Sequence, residues 1–428
     1  MRFFFIFLLL PLLALAQEEE KTSAPLTLEA AVKEALEKSP GVTAALAAIE
    51  VAQGERKATS NYQVQPELAL SLENGLSGVD RLELSVQQSL PTGGKLALAK
   101  KIGDARIAAL ESNLQAVRVS VAAKTARAYV AFWVTSERVA LSKERAALAK
   151  TSREAAEKRS TSGETSKLEL LLVQAEEERA RAEVTSAAGE RAQAQLGLAA
   201  VLGRPFSELL SVSIPQVKST NTLASVDAIL AQVENNPQLQ AATNEIEASS
   251  AELTLAKKAL VPSPSLRLGG SFNQLRIDSS DFLGTPAALN GIEGIKQSEG
   301  QLFIEFSSSI PLLRQGYQGA IAASLGKVAF AESRRDELKR NVSVDLLTAR
   351  ARLLSAVATE ELLLVSTPRY EEVATLTEKG YSSGQLSLDS LLLARNRLYE
   401  ARGALLSSQA ATLEENIALQ EASGKIPE

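Results

Sequence analysis

Residues 380–402, GYSSGQLSLDSLLLARNRLYEAR, have an earlier counterpart in the same chain at residues 159–182, RSTSGETSKLELLLVQAEEERARA. Gly163 falls on Gly384, Ser166 on Ser387, Leu170 and Leu171 on Leu391 and Leu392, Arg181 on Arg402, and Gly203 on Gly424, all at one constant offset. A register held that long marks an internal duplication, so the chain folds as two like units. Each copy reads as a turn feeding a helix. In the second, Gly380, Ser382, Ser383 and Gly384 supply the turn, because glycine reaches positive φ freely and serine bonds back to nearby backbone. Ser387 is the candidate N-cap, and Leu388, Leu391, Leu392, Leu398 and Leu405 then recur at helical spacing.

Taken in order, the chain opens with the pattern of a signal peptide over residues 1–16. Arg2 is the charged start, Phe3 to Leu13 are apolar, and Ala14-Leu15-Ala16 is an A-x-A cleavage site. The apolar run is shorter than the ~20 residues a spanning helix needs. Repeat 1 covers 17–218 and repeat 2 covers 219–428. Repeat 1 begins with short helices over 27–60. Thr27 is the N-cap of the first, Leu28, Ala31, Val32, Ala35 and Leu36 form its apolar face, and Ser39-Pro40 breaks it. The copies in repeat 2 lie over 222–260, the first running to Glu234 and breaking at Asn236-Pro237.

The period then changes from helical to two, giving strands over 66–90 and 264–310. Leu68, Leu70 and Leu72, then Leu82, Leu84, Val86 and Leu90, alternate with polar residues; so do Leu266, Leu268 and Phe272, and Leu302, Ile304, Phe306 and Ile310. Such strands suit either a small sheet packed on a helix or membrane strands with lipid on one side and water on the other. Four strands cannot close a barrel, so a membrane barrel would be shared between chains. A proline-glycine corner follows each hairpin, Pro91-Thr92-Gly93-Gly94 and Pro311 to Gly316. Long helical hairpins over 94–202 and 316–422 come next. The first long helix has a coiled-coil stripe of Leu110, Leu114, Val117 and Val121; the second has Leu338, Val342, Leu346, Ala349, Leu353 and Ala356. Pro368 is expected to kink or break the second. A helix of this size runs roughly 100 Å at 1.5 Å per residue, which suits bridging a space.

Composition narrows the function. The chain has no cysteine and no histidine, which removes disulfides, thiol catalysis, Cys/His metal sites and histidine bases. Only carboxylates remain for an exported enzyme, and no spacing of them stands out, so no catalytic, cofactor-binding or metal residues are assigned. The net charge of −5 argues against nucleic acid. Aromatics are 4% of residues, a bias that favours closely packed helices.

Signal peptide, tandem copies, paired strands, proline-glycine corner, very long helix, and the Gly384-Gln385-Leu386-Ser387 to Leu391-Leu392-Leu393-Ala394-Arg395 turn-helix together resemble the TolC family of outer-membrane efflux proteins. The Ser89-Leu90-Pro91-Thr92-Gly93-Gly94 corner is similar to its heavy-metal efflux branch. The resemblance implies a mainly α fold with a transmembrane β part. Tandem long helical hairpins would form a periplasmic tube, and four strands per chain would enter a shared twelve-stranded barrel in a homotrimer. It places the barrel in outer-membrane lipid, residues 25–38 and 223–234 in an equatorial belt, and the turns at 160–166 and 380–387 at the inner tip. That tip would meet a periplasmic adaptor and, through it, an inner-membrane pump. Two departures stand out: there is no cysteine for lipidation after the signal peptide, and the positions that carry acidic gate residues in the best-known member are Ser390 and Leu393 here.

On this reading Gly163, Glu164, Thr165 and Ser166, with Gly380, Ser383, Gly384, Gln385 and Ser387, form the tip and docking turns, and Gly163, Gly380 and Gly384 are hinge candidates. Glu164, Glu169 and Asp389 are candidates to line the entrance and favour cations. The plainer alternatives are ordinary turn glycines and acids that balance the helix macrodipole. The run Glu176-Glu177-Glu178-Arg179 reads as a solvated face, and Phe132 and Trp133 as packing residues. The leading function is an efflux conduit for drugs or metal ions. An export duct for a polypeptide and a pore-less coiled-coil adaptor are the alternatives, although an adaptor predicts one hairpin and this chain has two.

Overall fold

The computed structural model describes residues 25–62, 65–75, 78–162, 166–207, 210–215, 226–275, 299–308 and 315–427. The signal peptide, the linker at 219–222, Ile310 and residues 311–314 of the second corner lie outside these. Repeat 1 is α1 (Leu28–Lys38), α2 (Pro40–Tyr62), β1 (Glu67–Gly75), β2 (Gly78–Ser89), α3 (Lys95–Thr161) and α4 (Lys167–Leu202). Repeat 2 is α5 (Val226–Leu230), a 3-10 turn (Val233–Asn235), α6 (Pro237–Lys258), β3 (Pro264–Leu275), β4 (Glu299–Ser308), α7 (Gln315–Ser382) and α8 (Leu388–Ala422).

Local chemistry sets these boundaries. The Thr27 hydroxyl accepts the Ala30 N–H at 3.3 Å and starts α1. Pro40 and Pro237 open α2 and α6, where the missing N–H has no helical acceptor to lose. The short helix expected over 223–234 is instead split into α5 and the 3-10 turn among the described residues. The expected break at Pro368 is absent, since α7 runs unbroken through it. Proline has no N–H to offer the preceding turn, and the Thr367 hydroxyl donates to the Leu363 carbonyl at 2.8 Å beside that gap. Packing of α8 along α7 holds the helix in line.

The two long helices have 67 and 68 residues, about 100 Å each. Their return helices have only 36 and 35. The rest of their length is covered by α2 and α6, which pack on α3, while α6 also packs on α7. Both expected stripes pack into cores, apart from Ala356. Leu114 is buried against Val42 and Ile49 of α2, with Leu110, Val117 and Val121 alongside. Val342, Leu346, Ala349 and Leu353 are buried with Leu239 of α6 and Leu419 of α8.

The largest core lies midway, where α1 packs across α3 and α4. Leu28, Ala31, Val32 and Ala35 meet Ala122, Ala126, Tyr129 and Phe132 of α3 and Leu198 and Leu202 of α4. Phe132 and Trp133 are both buried there. The Tyr129 hydroxyl lies 2.6 Å from the Leu26 carbonyl oxygen and 2.8 Å from that of Ser213. It pins the parallel bridge between Leu26 and Val212, which ties the start of α1 to the segment leaving repeat 1. Glu34 of α1 receives Arg204 in bidentate fashion at 2.8 and 2.6 Å, and Lys38 at 2.8 Å. Hydrogen bonding from Arg204 is the main reason that its carboxyl pKa falls from the usual 4.5 to about 2.

Two predictions follow for this belt. Tyr129→Phe removes the hydroxyl that two part-buried carbonyls share and should cost about 1–3 kcal/mol, read from thermal melts of the helical circular-dichroism signal. The folded Glu34 pKa lies below its unfolded value, so its contribution is present above pH 4.5 and lost as pH falls through about 2. Arg204→Met should therefore lower the melting midpoint at neutral pH and have little effect near pH 2.

Candidate functional site

Two features stand apart from the helical core: the four-stranded sheet at one end and the converging helix ends at the other. The sheet is antiparallel in the order β1-β2-β3-β4. Leu68 faces Val86, which faces Leu268, which faces Ile304; Leu70 faces Leu84 one row on. These residues share one face, and among the described residues no helix covers it. Leu302 is 94% exposed, Ile304 77% and Leu68 71%.

The opposite face is polar and internally bonded. The Arg267 guanidinium donates to Glu83 at 2.5 Å and to the Ser85 hydroxyl at 3.0 Å, pairs with Glu305 at 3.6 Å, and stacks over Phe303. Ser85 and Ser271 are buried on this face. A solvated outer face, as in a small soluble sheet, would carry the opposite pattern. Among the described residues β1 and β4 each pair on one side only, which leaves two open edges.

At the first corner Leu90 donates to the Pro264 carbonyl at 2.8 Å, and Lys95 Nζ donates to the Val261 carbonyl at 2.6 Å and to Ser263 Oγ at 2.9 Å. The two repeats are thus clamped together where sheet becomes tube.

At the other end, Ala156, Val173 and Leu388 are buried together, with Leu170, Tyr381 and Leu392 packed on them. This small cluster joins the ends of α3 and α7 to the starts of α4 and α8. Ser166 Oγ accepts the Glu169 N–H at 3.2 Å, and Ser387 Oγ accepts the Ser390 N–H at 3.3 Å, so both duplicated serines are N-caps. Glu169 and Asp389 lie in the first turns of α4 and α8, where a negative charge complements the macrodipole. Gly163, Glu164 and Thr165 are outside the described residues.

The second turn is a Schellman cap. The Gln385 N–H donates to the Gly380 carbonyl at 2.9 Å, and the Gly384 N–H to that of Tyr381 at 3.0 Å. Gly384 has φ +75°, while Gly380 is still helical. A Cβ on Gly380 would meet Leu386 Cδ1 at 2.5 Å. Gly380 thus gives space to a side chain, and Gly384 turns the backbone; Ser383 lies between them.

Arginines to which the sequence analysis gave no role stitch the tip-ward helices together. Arg145 of α3 donates to Glu176 at 2.7 Å and Glu183 at 2.6 Å on α4, and to Asn396 at 2.8 Å on α8. Arg402 of α8 joins Glu371 of α7 at 2.8 Å and Glu144 of α3 at 2.9 Å. Arg395 joins Glu378 of α7 at 3.0 Å and the Ser152 hydroxyl of α3 at 2.8 Å. The available signal was heptad spacing: Arg138 and Arg145 face Glu176, Glu183 and Glu190, as Arg395 and Arg402 face Glu371 and Glu378.

The same packing corrects the reading of residues 176–179. Three successive helical residues cannot share one face. Only Glu178 and Arg179 are solvated; Glu177 is buried against Arg153 and Arg181, and Glu176 is turned toward Arg145.

Among the described residues no cluster of acids could hold a metal ion, and no helix is apolar and long enough to cross a membrane. What the geometry defines is a pair of long helical hairpins ending in a sheet with a lipid-compatible face. The sequence matches the outer membrane efflux protein family over residues 31–204 and 230–425, and the chain belongs to that family. Its sheet therefore lies in the outer membrane and its helices in the periplasm. No curated protein matches the sequence.

Solved structures share the fold at low identity. CusC, described for conformational changes accompanying folding and transmembrane channel formation, has a TM-score of 0.77 at 19% identity, over 94% of this chain and 93% of its own. VceC from Vibrio cholerae has 0.75 at 17%, over 93% and 96%. The open state of the MtrE outer membrane channel from Neisseria gonorrhoeae has 0.75 at 21%, over 93% and 89%.

Glu177→Ala should lower the thermal midpoint and speed tryptic cutting at the tip, because it leaves Arg153 and Arg181 without their buried partner. Glu178→Ala, on the solvated side, should stay within about 0.5 kcal/mol of the parent in the same melts.

Proposed function

We propose that three copies of this chain close into one tube that conducts small solutes, drugs or metal ions, out of the periplasm. The observation that carries this reading is the sheet: an exposed leucine face between two open edges. In hydrocarbon each unpaired backbone group costs several kcal/mol, so β1 of one copy must pair with β4 of the next. Three copies of four strands give twelve, an even number as antiparallel closure requires. The polar face holding Arg267 and Glu83 then lines a wet lumen.

The exposed face of α7 supports the same assembly. Leu354, Val365 and Leu376 repeat at a spacing of one hendecad, as do Leu362 and Val373, and all five are exposed in the single chain. A neighbouring copy would cover such a stripe. The chain around the 160–166 and 380–387 turns would be the docking surface for a periplasmic adaptor, with Ser166, Gly380, Ser383, Gly384, Gln385 and Ser387 as its candidate contacts. Through the adaptor they couple to an inner-membrane pump. No bond chemistry is required of the chain; the pump supplies the energy.

The test uses the absence of native cysteine, so that only introduced thiols can pair. Ser71→Cys on β1 is combined with cysteine at Gln301, Phe303 or Glu305 on β4 to scan the register. Oxidation in outer membranes should give a covalent trimer for at least one pair, reversed by reductant, and detergent-extracted protein should have three times the chain mass. A monomer with no pairing at any register overturns the assembly. Deletion of the gene should sensitise cells to the transported class, which identifies it.

A further inference from the structure

We infer that the sheet-end half of the tube holds a luminal station for aromatic organic cations, with Phe330 as its stacking surface. The inference rests on the trimeric conduit proposed above and narrows what passes through it.

At the sheet end α2, α3, α6 and α7 pack side by side in that order. One cavity of about 770 Å³ touches all four. It reaches Glu55 of α2, Arg106 of α3, Glu245 and Glu252 of α6, and Phe330 and Arg334 of α7. Four neighbours in a row can share one cavity only on the concave side of their arc, and the concave side of a tube wall is its lumen. The belt agrees with this direction. Arg335 and Lys339 of α7 reach Glu234 of the 3-10 turn. At 100° per residue they lie about 140° and 180° around the helix from Phe330, so belt and cavity occupy opposite faces of α7.

The volume is within the roughly 300–1,000 Å³ of pockets that take drug-sized ligands. Small residues, among them Ala109, Ala242, Ala248 and Gly326, make the recess. Phe330 is 68% exposed, and among the described residues no cation covers its ring. Phe132 and Phe303 differ, since Arg191 and Arg267 stack on them.

The charges favour one sign of ligand. Glu252 is occupied, because it receives both Arg106 and Lys327. Glu55, Glu245 and Arg334 form no ion pair among the described residues, nor does Glu337, which joins Glu245 and Arg334 in lining the adjoining cavity. Each chain thus sets three uncommitted carboxylates against one guanidinium, a balance that draws cations and repels anions. Among the described residues these carboxylates are not grouped as a metal ion would need. A flat organic cation can stack on the Phe330 ring while its charge meets Glu55 or Glu245. Single charges and an open ring hold it loosely, as a passage that must release its cargo requires.

The test is fluorescence polarisation of ethidium with the full-length native assembly in lipid nanodiscs, its trimer mass measured first. The cavity lies on the sheet side of the belt, so ethidium reaches it from the barrel mouth whatever the state of the tip. Saturable binding above that of empty nanodiscs is expected. Phe330→Ala should weaken it about tenfold, the loss of one well-placed cation–π contact, and Phe330→Trp should preserve it. Glu55→Gln combined with Glu245→Gln should weaken ethidium as well. Fluorescein, an aromatic anion, should bind far more weakly, and Ni²⁺ should displace ethidium no better than Mg²⁺ does. The station is overturned if trimers hold no ethidium, hold it equally after Phe330→Ala, hold fluorescein as tightly, or release ethidium to Ni²⁺ alone. A monomer in the mass measurement is a different failure, because it removes the tube itself and the station with it.

Discussion

A helix of about 100 Å cannot be held by a partner of half its length, and the architecture answers that constraint. Each long helix is covered at the tip end by its own return helix and at the sheet end by α2 or α6. The two coverings must meet without a gap. In repeat 2 the meeting point is built from Asn236, whose side chain donates to the Ala422 carbonyl at 3.0 Å and caps the start of α6. Gly424 lies so close to Pro237 that a Cβ there would be 2.4 Å from its Cδ. In repeat 1 the corresponding joint sets Gly203 beside Lys38 and adds the Arg204–Glu34 pair. The α1 belt sits at this level, where an uncovered joint would otherwise expose the core.

Either side of the joint the long helices are held by different means. Around it and toward the sheet they pack through alanine, valine and leucine. Toward the tip the apolar clusters become small, and heptad-spaced arginines and glutamates take over. The more exposed of these ion pairs contribute modestly on their own. Their value lies in register: a ladder that spans α3, α4, α7 and α8 fixes the height of one hairpin against the other.

The sheet inverts the usual arrangement. Its leucines are exposed, and its arginine, serines and glutamates are bonded to one another. A surface of that kind is costly in water and favourable in hydrocarbon, whereas its open edges are costly in hydrocarbon. Membership of the outer membrane efflux protein family resolves the first half of that conflict, and the proposed assembly with further copies would resolve the second.

Much of this was legible in the residues. The duplication, the two apolar stripes, the period-two strands and the N-caps at Thr27, Ser166 and Ser387 are local or periodic signals, and local chemistry is what a linear chain displays. The sequence by itself therefore determined the mainly helical class with its small four-stranded sheet. Only the tertiary structure decided three matters. It decided that α7 runs through Pro368, because packing by α8 outweighs one missing hydrogen bond. It split the second belt helix, whose counterpart α1 is held by a large core. It turned Glu177 inward while Glu178 stayed in water, because the position of α3 on the α4 surface selects which of two adjacent acids finds an arginine. Each outcome depends on what lies across a helix interface, and a linear pattern carries no address for the partner.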